Sequence, residues 1–171
     1  MDHIDLGLLI MRLAFGLSLA YHGLNKVIGA GGLTGTSGWF GSLGMKSPML
    51  QARLAASTEI LSGLFFACGL LTPFAAGAMV ALMIVAIVTV HARVGYFIFL
   101  PNGGWEYCAA IAFVAAGIAS TGPGSASLDN ALEFDFNGGG LAIALGLGLV
   151  GAALQLALFY RPQAVGKNNA A

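Results

Sequence analysis

Long runs without a charged side chain constrain this chain more than any other feature. Between Glu59 and Arg93, and again between Asp135 and Arg161, no Asp, Glu, Lys or Arg occurs. At about 1.5 Å per helical residue, such runs are long enough to cross a hydrocarbon core about 30 Å thick. Only 8% of the 171 residues are charged and 58% are hydrophobic, whereas a soluble domain carries roughly 25% charge. So little charge cannot solvate a globule of this size. The expected fold class is an all-α integral membrane protein, with a four-helix transmembrane bundle followed by a C-terminal fifth transmembrane helix.

The spacing predicts spans over residues 5–28, 51–71, 73–91, 105–120 and 140–160. Thr72-Pro73 places a helix-starting proline directly after Leu71, so spans two and three must be antiparallel neighbours. The segment 29–50 has glycine at every third position from Gly32 to Gly44 and reads as an interfacial or re-entrant stretch, with Trp39 and Phe40 at the headgroup level. Two units are expected: residues 1–129 with that segment, and residues 130–171 with an acidic connection, the fifth span and a short tail. Asp129 to Asp135 reads as solvated. The amino terminus is acidic where a secretory signal would be basic, so the first apolar stretch is expected to be retained.

With five spans the charges sort by side. Lys26, Lys46, Arg53, Arg93, Arg161 and Lys167 fall at one face, and Asp2, Asp5, Asp129, Glu133 and Asp135 at the other. The excess of Lys and Arg assigns the first face to the cytoplasm of a bacterial inner membrane, with the amino terminus outside and the carboxy terminus inside. A net charge of zero with no basic run gives no expectation of nucleic acid.

Ionisable groups inside a bilayer cost roughly 2.5–3.5 kcal/mol each and persist where they have partners or a task. Counted from the basic face, His22 is roughly 8 Å deep, Glu59 about 10 Å, and Lys26, His91 and Glu106 lie within about a turn of the interface. His22 and Lys26 are spaced i, i+4 and share a helix face, flanked by Tyr21 and Asn25. Four helices thus offer one polar layer. Glu59, His22, His91 and Glu106 are the candidate catalytic groups, and the same residues with Lys26 and Tyr107 are the candidate ligand-binding set. Snorkelling to water is the alternative for Lys26, Arg93 and His91. Arg12 approaches from the other side and is expected to reach Glu59 as a structural ion pair.

No HxxxH, ExxH or CxxC spacing supports a metal site. Cys68 and Cys108 fall near opposite ends of their spans, roughly 20 Å apart, too far for a disulfide. Haem attachment, dinucleotide-binding and iron–sulfur motifs are all missing, so no haem, flavin or cluster is expected.

The stretch Leu9-Ile10-Met11-Arg12-Leu13-Ala14-Phe15-Gly16, followed by His22-Gly23-Leu24-Asn25-Lys26, resembles the opening of the DoxX family of small bacterial membrane proteins. The resemblance continues through Gly38-Trp39-Phe40, Glu59-Ile60-Leu61-Ser62-Gly63-Leu64, Leu70-Leu71-Thr72-Pro73, Asn102-Gly103-Gly104-Trp105-Glu106-Tyr107 and Ser127-Leu128-Asp129. It covers about residues 5–129 and implies a four-helix transmembrane bundle there, with Arg12, His22, Lys26, Glu59 and Glu106 at matching positions. The fifth span departs from the usual short family tail. The family is named for its likeness to a subunit of a thiosulfate:quinone oxidoreductase, and some members are described as membrane partners in oxidoreductase or thiol-stress assemblies.

The expected function is a quinone-interacting subunit of a membrane oxidoreductase complex, quinone being the redox cofactor that needs none of the missing motifs. Two other classes stay open. One is a non-catalytic accessory subunit whose fifth helix packs on a partner through Gly146, Gly148 and Gly151. The other is a small-solute or proton transporter, against which the small size and the lack of an evident inverted repeat count.

Overall fold

The computed structural model describes residues 2–136 and 138–162, and among these there are helices and no strands. In chain order they are α1 (His3–Ile28), α2 (Gly32–Ser42), α3 (Pro48–Cys68), α4 (Thr72–Ala86) running into a π-helical turn (Ile87–His91), α5 (Glu106–Thr121), the single turn α6 (Leu128–Ala131) and α7 (Gly140–Phe159). Three are long and apolar enough to cross a membrane: α1, α4 with its π turn, and α7. The expectation of four spans plus one is met only in part. At 16 residues α5 is short, and α3 carries Gln51, Arg53, Ser57, Glu59 and Ser62 among its 21 residues.

Asp2 caps α1 by accepting from the Asp5 N–H at 2.8 Å, and the Asp5 carboxylate reaches back to the Asp2 N–H. Asp5 also accepts from the backbone and hydroxyl of Ser125, which ties the start of α1 to the loop before α6. Helices α1 and α3 are antiparallel and touch backbone to backbone. A Cβ on Gly16 would lie 2.6 Å from the Gly63 carbonyl oxygen, and one on Gly23 would lie 2.8 Å from that of Ala56. Small residues allow this approach where apolar helices gain little from burying apolar surface against each other.

The core between α3, α4, α5 and α7 is built on Phe66, Met79, Met83, Ala115, Ile118 and Ala144. The face of α7 that carries Gly140, Ala144, Gly148 and Ala152 is buried, and a Cβ on Gly148 would meet Val80 of α4 at 2.6 Å. Gly148 thus serves a contact within the chain, not one with a partner, while Gly146 faces open space. Leu149, Val150, Leu154 and Leu158 stay exposed on the outer side of α7, as a lipid-facing surface requires.

Two segments differ from their sequence reading. The glycine-rich stretch forms an ordinary helix, α2, none of whose residues is buried. Asp129 is not solvated: it is 2% exposed. Its carboxylate accepts from the Leu71 N–H at 2.6 Å and the Thr72 N–H at 2.9 Å, and its own N–H donates to the Gly69 carbonyl. These bonds hold the α3–α4 turn, in which Leu71 takes a left-handed φ of 46° that disfavours a leucine by roughly 1–2 kcal/mol. The turn occupies the end of the bundle that holds Asp5, Ser125 and α6.

The opposite end gathers the end of α1, the starts of α3 and α5, and the end of α7. There Lys46 N–H donates to the Phe159 carbonyl at 2.7 Å and Arg161 N–H to that of Gly44 at 2.9 Å, pinning α7 to the loop before α3. Lys26, Lys46, Arg53, Arg93 and Arg161 therefore share an end, as their sequence positions predict. Lys167 and the tail beyond residue 162 lie outside the described residues.

Candidate functional site

A cleft of about 130 Å³ opens at the basic end of the bundle. A cavity of roughly 150 Å³ admits benzene, so the space suits a single ring. Leu19, His22 and Lys26 reach it from α1, Trp39 and Phe40 from α2, Ala55 and Glu59 from α3, Met83 and Ala86 from α4, His91 from the π turn, Tyr107 and Ile111 from α5, and Gln155 from α7.

Two polar pairs stand in this otherwise apolar wall. The Lys26 ammonium lies 2.8 Å from Glu59 Oε1 and 2.6 Å from Oε2, so both carboxylate oxygens accept from it. The expected ion pair of Arg12 with Glu59 is therefore corrected: Glu59 pairs with Lys26. The register set at Gly16 and Gly63 places Lys26 beside Glu59, and carries Arg12 about two turns further, to the α3–α4 turn. There Arg12 is fully buried; it donates to the Ala126 carbonyl and feels the charge of Asp129. Gly69 leaves the room, since a Cβ at that position would collide with the guanidinium.

The second pair is His91 and Tyr107. His91 Nδ1 lies 2.8 Å from the Gly103 carbonyl oxygen, and Nε2 lies 2.7 Å from the Tyr107 hydroxyl. A carbonyl can only accept, so Nδ1 carries a proton. In the neutral imidazole Nε2 is then an acceptor and the Tyr107 O–H donates to it. The π turn aims His91: Ala92 N–H donates to the Ile87 carbonyl, five residues back, at 2.7 Å, and the extra residue shifts the helix phase just before the imidazole. Single π turns of this kind are frequent at functional sites.

Glu106 does not join the cleft. Its carboxylate accepts from the Ile98 N–H at 3.0 Å and orders the loop between the π turn and α5. His22 borders the cleft one helical turn from Lys26. Sequence reasoning missed Gln155, whose Nε2 donates to Oε1 of the fully buried Gln51 at 2.9 Å. Its signal was available, since Gln155 is the one polar side chain in α7. No group of three or more His, Cys, Asp or Glu able to hold a metal occurs among the described residues. Cys68 and Cys108 are both free.

The DoxX family model matches residues 7–92, half of the chain. The chain belongs to the DoxX family. It is also 30% identical over 103 residues to a protein of Bacillus subtilis (strain 168) named "Putative oxidoreductase CatD", a match that covers 60% of this chain and 71% of the relative. No solved structure matches. The DoxX segment holds four of the polar residues of the cleft, His22, Lys26, Glu59 and His91, whereas Tyr107 and Gln155 come from helices beyond it.

Proposed function

We propose that this DoxX protein binds a quinone in the cleft and serves as the quinone-interacting subunit of a membrane oxidoreductase complex. The observation that carries this reading is the meeting of the Lys26–Glu59 and His91–Tyr107 pairs on the walls of a ring-sized apolar space. A quinone ring needs an apolar slot, a donor at a carbonyl oxygen and nearby groups able to carry protons. Lys26 supplies a donor and a point charge; Glu59 holds that charge in place; His91 and Tyr107 supply a proton-carrying pair. The name of the B. subtilis relative supports redox chemistry.

In this reading five helices cross a bacterial inner membrane, with the cleft toward the cytoplasm and the amino terminus outside, because Lys26, Lys46, Arg53, Arg93 and Arg161 surround the cleft end. A fluorescent-protein fusion at the carboxy terminus is expected to fluoresce in intact cells, while an alkaline phosphatase fusion at the same point stays inactive. The reverse pattern would turn the protein over. The buried apolar layer of Phe66, Met79, Ala115 and Ile118 lies toward the other end of the bundle, which favours a closed ligand site over a transport path.

The test is mass spectrometry of whatever co-purifies with the protein in mild detergent. Wild type is expected to carry quinone, and Glu59→Gln at least about tenfold less, the effect of losing one interaction with a charged partner worth about 1.5–3 kcal/mol. A stoichiometric protein partner with no quinone in either sample would instead make this an accessory subunit.

A further inference from the structure

The hydrogen-bond directions at His91 and Tyr107 say which redox state of a ring the cleft is arranged to receive. His91 Nδ1–H is committed to the Gly103 carbonyl at 2.8 Å. In the neutral imidazole Nε2 has only a lone pair to offer, and it takes the Tyr107 proton across 2.7 Å. Tyr107 borders the cleft, and with its one proton turned to His91 its oxygen keeps lone pairs, not a donor, for a bound molecule. A quinone carbonyl has no proton to give such an acceptor. A hydroquinone hydroxyl has one.

Resting on the ring-binding reading above, we infer that the cleft takes the reduced, hydroxyl-bearing form of the ring, and that Tyr107 and His91 relay its proton. The ligand O–H donates to Tyr107 Oη. As that proton transfers to Tyr107, the phenolic proton of Tyr107 moves to His91 Nε2, so one O–H bond breaks on the ligand, one forms and one breaks on Tyr107, and one N–H bond forms on His91. The products are the ring monoanion and an imidazolium; no electron moves in this step. The Gly103 carbonyl already accepts from Nδ1–H and stabilises the cation, while Lys26, on the same cleft, faces the new anion. Tyr107 lies beyond the family-matched segment, so the relay joins a residue inside that segment to one outside it.

The experiment is equilibrium binding, under anaerobic conditions, of a short-tailed 1,4-benzohydroquinone and of the matching benzoquinone to the full chain in lipid nanodiscs. Wild type is expected to bind the hydroquinone about tenfold more tightly, the effect of one added hydrogen bond. Tyr107→Phe keeps the ring and removes the acceptor; the preference falls to near unity while quinone affinity changes less than about threefold. His91→Phe releases the Tyr107 O–H to point at the ligand as a donor, and the preference turns toward the quinone. A merely structural role would not produce that inversion. Equal binding of both forms to wild type, or equal weakening of both in Tyr107→Phe, overturns the relay and leaves the ring-binding reading standing. Binding of neither form to wild type at millimolar concentration overturns both.

Discussion

Replacement of Asp129 by Ala is expected to lower stability by about 3–5 kcal/mol, the range found when one member of a buried charged group is removed and the other is left uncompensated. Two losses combine. The N–H groups of Leu71 and Thr72 lose their acceptor in a turn where Thr72 is fully buried, and Arg12 loses the negative charge beside it. Asp129→Asn keeps an acceptor oxygen and should lose less. Thermal unfolding in detergent reads both variants. Adding Arg12→Met to Asp129→Ala should cost less than the sum of the two changes, because the stranded cation goes with its partner. A loss under about 1 kcal/mol for Asp129→Ala would mean that the α3–α4 turn holds itself.

The second large effect is expected at Gly16→Val. A Cβ at that position would stand 2.6 Å from the Gly63 carbonyl oxygen and 2.8 Å from the Ala67 nitrogen. Both are backbone atoms of α3, which have no rotamer to change, so the two helices must move apart. Overpacking ordinarily costs about 1–3 kcal/mol and more where the obstacle cannot yield, and here about 3 kcal/mol or more is expected. Gly7→Val on the same helix is the control, since nothing lies within 4 Å of a Cβ there and valine is a slightly better helix former than glycine. Similar losses at both positions would show that glycine matters to α1 itself and not to its contact with α3.

Those two sites also explain what was legible in the sequence. The helices were, because uncharged runs and the Thr72-Pro73 break are local signals; α4 and α7 begin within a residue of their expected starts, and α3 begins three residues early, at Pro48. The polar residues His22, Lys26, Glu59 and His91 stood out through the cost of placing them among apolar neighbours, and the structure brings all four to one cleft. Their partners did not stand out. Whether Glu59 meets Arg12 or Lys26 depends on the register of two helices, which Gly16 and Gly63 set by backbone contact. Asp129 read as solvated because its two acceptor bonds go to residues 57 and 58 positions away. Glu106 was placed by depth alone, and depth does not give the side of the helix; its carboxylate turns to Ile98.

The π turn at Ile87–His91 bears on how relatives of this chain should be compared. A turn with one residue too many is, in evolutionary terms, an insertion that the helix absorbed without breaking. Deleting one residue there would restore ordinary winding and swing everything after it by about 100°, one residue's share of a 3.6-residue turn, taking the imidazole off the line to Tyr107. A one-residue gap in this stretch of an aligned relative therefore marks the loss of the dyad even where a histidine still fills the column, and a column-by-column count of conserved residues would pass over that change.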